Sequence, residues 1–201
     1  MTHFAFRGLW AAGVLAAAAV AGCSSAPATR FYLLAPLPAS EKPRDDYGGP
    51  APVVGLRPVT LPEELDRPQI VTRVGSTQLE MAEFDRWAAP LRDNFPRVLA
   101  DDLAILVPAE RVLLFSWSRE TPIDYEVTVA VTRFEGAQGG DCWLAADWTI
   151  SRRSGKEAST AGSSRHTEWA GGSYAELVAA QSRLVGALGR DIAAALNAIP
   201  R

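Results

Sequence analysis

The chain is short of the residues on which much catalytic and metal chemistry rests. Its 201 residues hold only two cysteines, Cys23 and Cys142, and two histidines, His3 and His166. No pair of these has the spacing of a zinc site, so a metal centre is not expected. There is no basic excess either. Lys and Arg number 20 against 23 Asp and Glu, a formal charge of −3, which argues against nucleic acid as a partner. No apolar run approaches the roughly 20 residues that a membrane-spanning helix needs. A Ser-His-Asp hydrolase would have to use His166 with a serine on a sharp elbow. No such elbow exists, and His166 sits among Ser163, Ser164 and Thr167. The sequence is not expected to be that of an enzyme, and no cofactor is called for.

What is present begins at the N-terminus. Arg7 is followed by a charge-free apolar stretch from Leu9 to Val20, the length of a signal-peptide core rather than of a membrane span. The stretch ends in Val20-Ala21-Gly22-Cys23, an aliphatic residue, two small ones and a cysteine, in the pattern read by lipoprotein signal peptidase. The expected processing is cleavage after Gly22. The Cys23 sulfur then carries diacylglycerol and its freed amine an N-acyl chain. One acyl chain holds a protein only marginally, whereas two or three make a durable anchor. Residues 1–22 are thus assigned as signal peptide, 23–29 as lipidated tether and 30–201 as one periplasmic domain. Without Arg7 the formal charge is about −4. With Cys23 acylated, Cys142 has no partner for an intrachain disulfide and is expected in the core.

Patterning gives the elements. Arg30–Ala35, Val53–Val59, Gln69–Val74, Thr77–Phe84 and Arg111–Phe115 read as strands, and the two flanking Gly75-Ser76 as a pair joined by a turn. Leu61–Asp66 reads as a loop, and proline-rich Pro36–Pro52 as an exposed connection. Leu91, Phe95, Val98, Leu99, Leu103 and Leu106 fall at helical spacing. Pro96 implies a start near Asn94 or a kink, because proline lacks an N–H and crowds the preceding turn. Ile123, Tyr125, Val127, Val129 and Val131 alternate with polar residues, as do Cys142, Leu144, Ala146, Trp148 and Ile150 beyond a turn at Gly136–Gly140; each set is expected on the inward face. Arg152–Lys156 reads as a basic hairpin tip, and Ala158–Trp169 as a polar edge strand. Ser173 and Glu176 have capping-box spacing before an apolar stripe from Leu177 to Ile199. The expected class is α+β, a single domain with an antiparallel sheet and two helices packed on one face.

Four segments then carry a resemblance. Leu61-Pro62-Glu63-Glu64-Leu65-Asp66-Arg67-Pro68-Gln69-Ile70-Val71-Thr72-Arg73, Arg86-Trp87-Ala88-Ala89-Pro90-Leu91, Arg97-Val98-Leu99-Ala100-Asp101-Asp102-Leu103 and the opening Phe31-Tyr32-Leu33-Leu34 resemble the ABC-type transport auxiliary lipoproteins, the family with the PqiC-like branch. The resemblance runs over most of the chain after Cys23. It implies a lipid-anchored auxiliary subunit on the periplasmic side of the outer membrane. Its partners would be a PqiB-like MCE-domain protein, which forms a conduit for lipids between membranes, and that protein's own membrane partner. A homo-oligomer is compatible with it. An outer-membrane assembly lipoprotein, a factor for lipopolysaccharide or β-barrel insertion, would carry the same anchor and class of domain.

Candidate contact residues follow. Glu63, Glu64, Asp66 and Arg67 form a charged loop, and Pro68 biases Arg67 toward extended backbone that presents its side chain. The alternative is that Arg67 pairs with Asp66 or caps carbonyls in its own turn. Trp87 either anchors an interface or lies half-buried at an element boundary. Trp143 and Trp148 point to opposite faces, which makes Trp143 a further candidate. Arg152, Arg153, Lys156 and Arg165 offer charge to phosphate headgroups or an acidic partner, or are simply solvated.

Overall fold

The computed structural model describes residues 27–41, 51–153 and 160–199. Eight strands and two α-helices follow in the order β1 (Arg30–Tyr32), β2 (Val53–Leu56), β3 (Gln69–Val74), β4 (Gln78–Trp87), α1 (Leu91–Leu106), β5 (Arg111–Leu114), β6 (Tyr125–Gly136), β7 (Asp141–Arg152), β8 (Thr160–Trp169) and α2 (Tyr174–Ala198). The α+β class and the two helices on one face are as expected. The sheet is not a single antiparallel one. A five-stranded sheet runs β5-β2-β6-β7-β8, and a separate three-stranded sheet runs β1-β4-β3. In the larger sheet β2 is parallel to both β5 and β6, while β6, β7 and β8 are antiparallel. Parallel neighbours need a crossover, and here the crossover from β2 to β5 carries β3 and β4 of the smaller sheet and α1, while β1 joins that sheet from before β2.

The alternating strands keep their phase. Tyr125, Val127, Val129 and Val131 of β6 and Cys142, Leu144, Ala146, Trp148 and Ile150 of β7 are all buried. A register shift between Val131 and Arg133 then moves the inward position to Phe134, whose ring meets Phe95 of α1 edge-on at 5.1 Å. β8 is polar and forms one edge. At Gly162 a Cβ would fall inside the Trp148 ring, so only glycine lets that indole lie across β8, where its Nε1 donates to Ser164 Oγ at 3.0 Å.

α1 starts at Leu91, earlier than the proline suggested, and runs on through Pro96. Leu91 and Phe95 are buried, and Asn94 Oδ1 accepts from the Leu34 N–H at 2.8 Å. Burying that first turn outweighs the intrahelical bond that Pro96 cannot make to Arg92. α2 begins with the expected capping box, Ser173 and Glu176 bonding each other's backbone N–H.

Before α1 and α2 comes a strap. β1 is shorter than expected and ends at Tyr32, after which the chain lies along both helices. Ala35 N–H donates to Ser182 Oγ at 3.1 Å, Leu37 N–H to Asp102 Oδ1 at 2.7 Å, and Glu41 pairs with Arg190 at 2.6 Å. The first part of the connection expected at Pro36–Pro52 is therefore fastened to the helices. Cys23 and Lys156 lie outside the described residues.

Candidate docking surface

The charged loop is built from its prolines. Pro62 is extended (φ −54°, ψ 135°) and opens a single 3-10 turn, Glu63–Leu65, closed by Leu65 N–H to Pro62 O (3.1 Å) and Asp66 N–H to Glu63 O (3.0 Å). Leu65 is buried and pins the turn to the core, which leaves Glu63 and Glu64 in solvent. Asp66 (φ −78°, ψ 64°) is the centre of an inverse γ-turn, since Arg67 N–H donates to Leu65 O at 2.8 Å. The Arg67 side chain folds back: its Nε donates to Glu64 O at 2.7 Å and its Nη1 lies on Met81 Sδ. Arg67 thus caps its own turn. Asp66 pairs instead with Arg92 of α1 at 2.9 Å.

Trp87 is placed elsewhere. Its N–H donates to Pro68 O at 2.7 Å, but its ring is buried, 6% exposed, against the core. Its inward direction follows from strand alternation with buried Asp85. The ring is therefore not offered to a partner, in contrast to Glu63 and Glu64.

One wall of a cleft of about 410 Å³ is formed by Pro62, Glu64 and Leu65; across it lie Arg73 and Ser76 of the β3–β4 hairpin and Arg133, Glu135 and Trp143 on the outer face of β6 and β7. Glu135 is its electrostatic centre. Its side chain is 6% exposed and receives Arg73 Nη2 and Arg133 Nε, each at 2.8 Å. Burial alone would raise the Glu135 pKa, but the hydrogen bonds from Arg73 and Arg133 outweigh it and hold the carboxyl below the usual range. Arg133 also stacks over the Trp143 ring, 4.1 Å from guanidinium carbon to centroid. Trp143, a candidate from its strand phase alone, therefore joins Glu64 at one site. Arg73, Arg133 and Glu135 escaped sequence reasoning. Their signal was the step of three from Val131 to Phe134, which marks a bulge and turns Arg133 and Glu135 to the outer face.

Of the remaining candidates Arg165 is exposed on β8, and the others are engaged in local structure. Arg153 donates to the carbonyls of Thr121 and Arg119, at 3.3 and 3.1 Å, and Arg152 to Tyr125 OH at 3.2 Å. His166 Nε2 meets Asp191 Oδ2 at 2.7 Å, while Ser163 bonds Asp147 and Ser164 bonds Trp148. Cys142 is fully buried, and burial pushes its thiol pKa up to about 11. Among the described residues there is no cluster of ligands for a metal ion, and no helix is long and apolar enough to cross a membrane.

With the cleft and strap in place, the comparison with known proteins is direct. The family model described as the ABC-type transport auxiliary lipoprotein component matches residues 32–193. The chain belongs to that family. It is therefore a lipoprotein and an auxiliary component of a transport system, with a partner in that system; the family is not one of enzymes. Two crystal structures share the fold. One, of an uncharacterized protein, has a TM-score of 0.67 at 17% identity and covers 85% of this chain and 99% of its own. The other, a Xanthomonas campestris protein of the DUF330 family, has a TM-score of 0.63 at 15% identity and covers 82% and 93%. No curated protein matches the sequence.

Proposed function

We propose that this chain is the lipid-anchored periplasmic subunit of an MCE-type intermembrane lipid transport system, of the PqiC-like kind, and docks the conduit at the outer membrane. The observation that carries the reading is the family match from residue 32 to 193. The Val20–Cys23 motif supplies the anchor, through diacylglycerol on the Cys23 sulfur and an acyl chain on its amine. The cleft beside Glu63 and Glu64 is the docking surface. It joins Trp and Arg, the residue types that dominate binding energy at interfaces, to a rim of carboxylates that tunes association rate and salt dependence.

The test is capture from detergent-solubilised membranes with the tagged, acylated protein. An MCE-domain protein should be retained, and Trp143→Ala should weaken that capture about tenfold or more, as loss of a central aromatic contact does. Retention of a β-barrel or lipopolysaccharide-insertion protein, with no MCE-domain protein, would sink the reading. Arg67→Glu separates docking from folding. Because Arg67 caps Glu64 O, this change should lower the melting point and leave capture by the folded fraction near normal.

A further inference from the structure

Two large apolar side chains stand in solvent where the chain leaves its N-terminal segment. Phe31 is 64% exposed and Leu33 51%. Isolated exposed apolar residues are ordinary on a protein surface, so exposure alone decides nothing. Their mounting and position do. Phe31 lies in β1, opposite Arg86 of β4, and Leu33 follows two residues on, on the same side of an extended chain. The residues between and beside them lie on the other side of the strand and are clamped. Arg30 forms a two-pronged pair with Asp85 at 2.8 and 2.9 Å, Tyr32 OH donates to Asp85 Oδ1 at 2.7 Å, and Leu34 is buried with its N–H on Asn94. The two apolar side chains are thus presented outward by a strand that cannot turn them in.

Their distance from the anchor is limited by covalent geometry. Cys23 precedes Phe31 by eight residues, which reach about 29 Å at full extension. A compact domain of this size is about 40 Å across. The face carrying Phe31 therefore cannot turn to the far side of the domain from the lipid. Trp169, also 64% exposed, lies toward the same end. Four residues join it to Tyr174 at the start of α2, the helix whose Ser182 accepts from Ala35 N–H two residues after Leu33.

We propose that Phe31 and Leu33 form a second, non-covalent membrane contact. They enter the headgroup–acyl boundary of the bilayer that holds the Cys23 lipid, and so fix the tilt at which the domain stands on it. The inference rests on acylation of Cys23. A pair of side chains is too small to recruit a soluble protein to lipid, but the anchor keeps them beside the interface, where partitioning costs little further entropy. The consequence is orientation: α2, about 37 Å long, runs from a membrane-proximal end at Tyr174 toward Asn197.

The test uses the acylated full chain in vesicles of phosphatidylethanolamine with a minority of phosphatidylglycerol. Phe31→Cys, Leu33→Cys and, as reference, Asn197→Cys each carry a nitroxide; Cys23 is blocked by lipid and Cys142 by burial. Oxygen and a water-soluble nickel chelate then compete to relax the label. Oxygen should dominate at 31 and 33 and the chelate at 197, an inversion between the two ends of the domain. Chelate-dominated labels at both 31 and 33 on acylated, vesicle-bound protein would overturn the proposal and leave the anchor standing. So would labels shielded from both reagents only when the MCE-domain partner is added, which would make the patch a protein contact. An unmodified Cys23 in the mass spectrum would remove the anchor and this contact together.

Discussion

Replacing Asp102 with asparagine should stabilise the protein at neutral pH. Asp102 sits in α1 facing α2 with no exposed surface; its Oδ1 accepts from Leu37 N–H and its Oδ2 has no partner. Burial raises its pKa from 3.8 to about 6, against the smaller opposing effect of the Leu37 hydrogen bond. The native state therefore holds the Asp102 proton more tightly than the unfolded chain does. Well below pH 3.8 both states are neutral and there is no penalty; as pH rises from there through about 6 the unfolded chain ionises freely while the native state must hold the proton or bury a charge, and stability falls. The gap between the two pKa values corresponds to about 2–3 kcal/mol at pH 7.5. In a domain of this size that is a melting-point rise of roughly 5–10 °C for Asp102→Asn. Asparagine keeps the acceptor for Leu37. Asp102→Ala removes it, orphans a part-buried N–H, and should cancel the gain by about 1–3 kcal/mol. The assay is thermal melting of the detergent-solubilised acylated protein at pH 4 and 7.5, read as the difference from wild type. Groups with depressed pKa values, Asp85 and Glu135, act in the opposite sense but cancel in that difference. An Asp102→Asn protein less stable than wild type at pH 7.5, with no change in the pH slope, would refute the reasoning.

Glu135→Gln leaves Arg73 and Arg133 without their shared carboxylate and should cost about 2–4 kcal/mol at pH 7 by denaturant titration. Because the Glu135 pKa is lowered in the folded state, the wild-type advantage should shrink as pH falls from about 4.5 through the depressed folded value. Gly162→Ala puts a methyl into the rigid Trp148 ring and should destabilise by about 1–3 kcal/mol, with a change in near-ultraviolet circular dichroism from the displaced indole. Cys142 should resist a thiol reagent in the native protein and react on denaturation; rapid native labelling would contradict the strand phase that buries it.

How much of this was legible in the sequence depends on whether a pattern is local. Alternation in β6 and β7 is set by each strand's own two faces, so the inward residues could be named without knowing their neighbours. The sheet's direction is not local. Val53-Val54-Gly55-Leu56 is buried at every position. A short unbroken apolar run is the mark of a strand covered on both faces and lying between parallel neighbours. That signal was present, but nothing in four residues says that β5 and β6 flank them. The start of α1 was obscured for a related reason. Pro96 argues locally for a later start, while the burial of Leu91 and Phe95 and the Asn94 bond to the strap are tertiary, and they prevail.

The candidate docking surface divides along the same line. Glu63 and Glu64 were legible as an exposed acidic turn because the prolines and Leu65 dictate it. Arg67 was legible only as an alternative between presentation and bracing, and Glu64 O and Met81 decide for bracing, since a guanidinium with an acceptor within its own turn has reason to stay there. Arg73, Arg133 and Glu135 were invisible as a unit. They come from strands 62 residues apart, joined by a bulge that shifts β6 by one position at Val131. That shift carries Glu135 from the inward phase of Tyr125–Val131 to the outer face, on the floor of a cleft between two arginines and beside Trp143. A candidate surface of this kind is written in the meeting of two sheets. Leu61–Arg73, one of the four segments that carry the family resemblance, supplies one wall of it and, through Arg73, the link to the other.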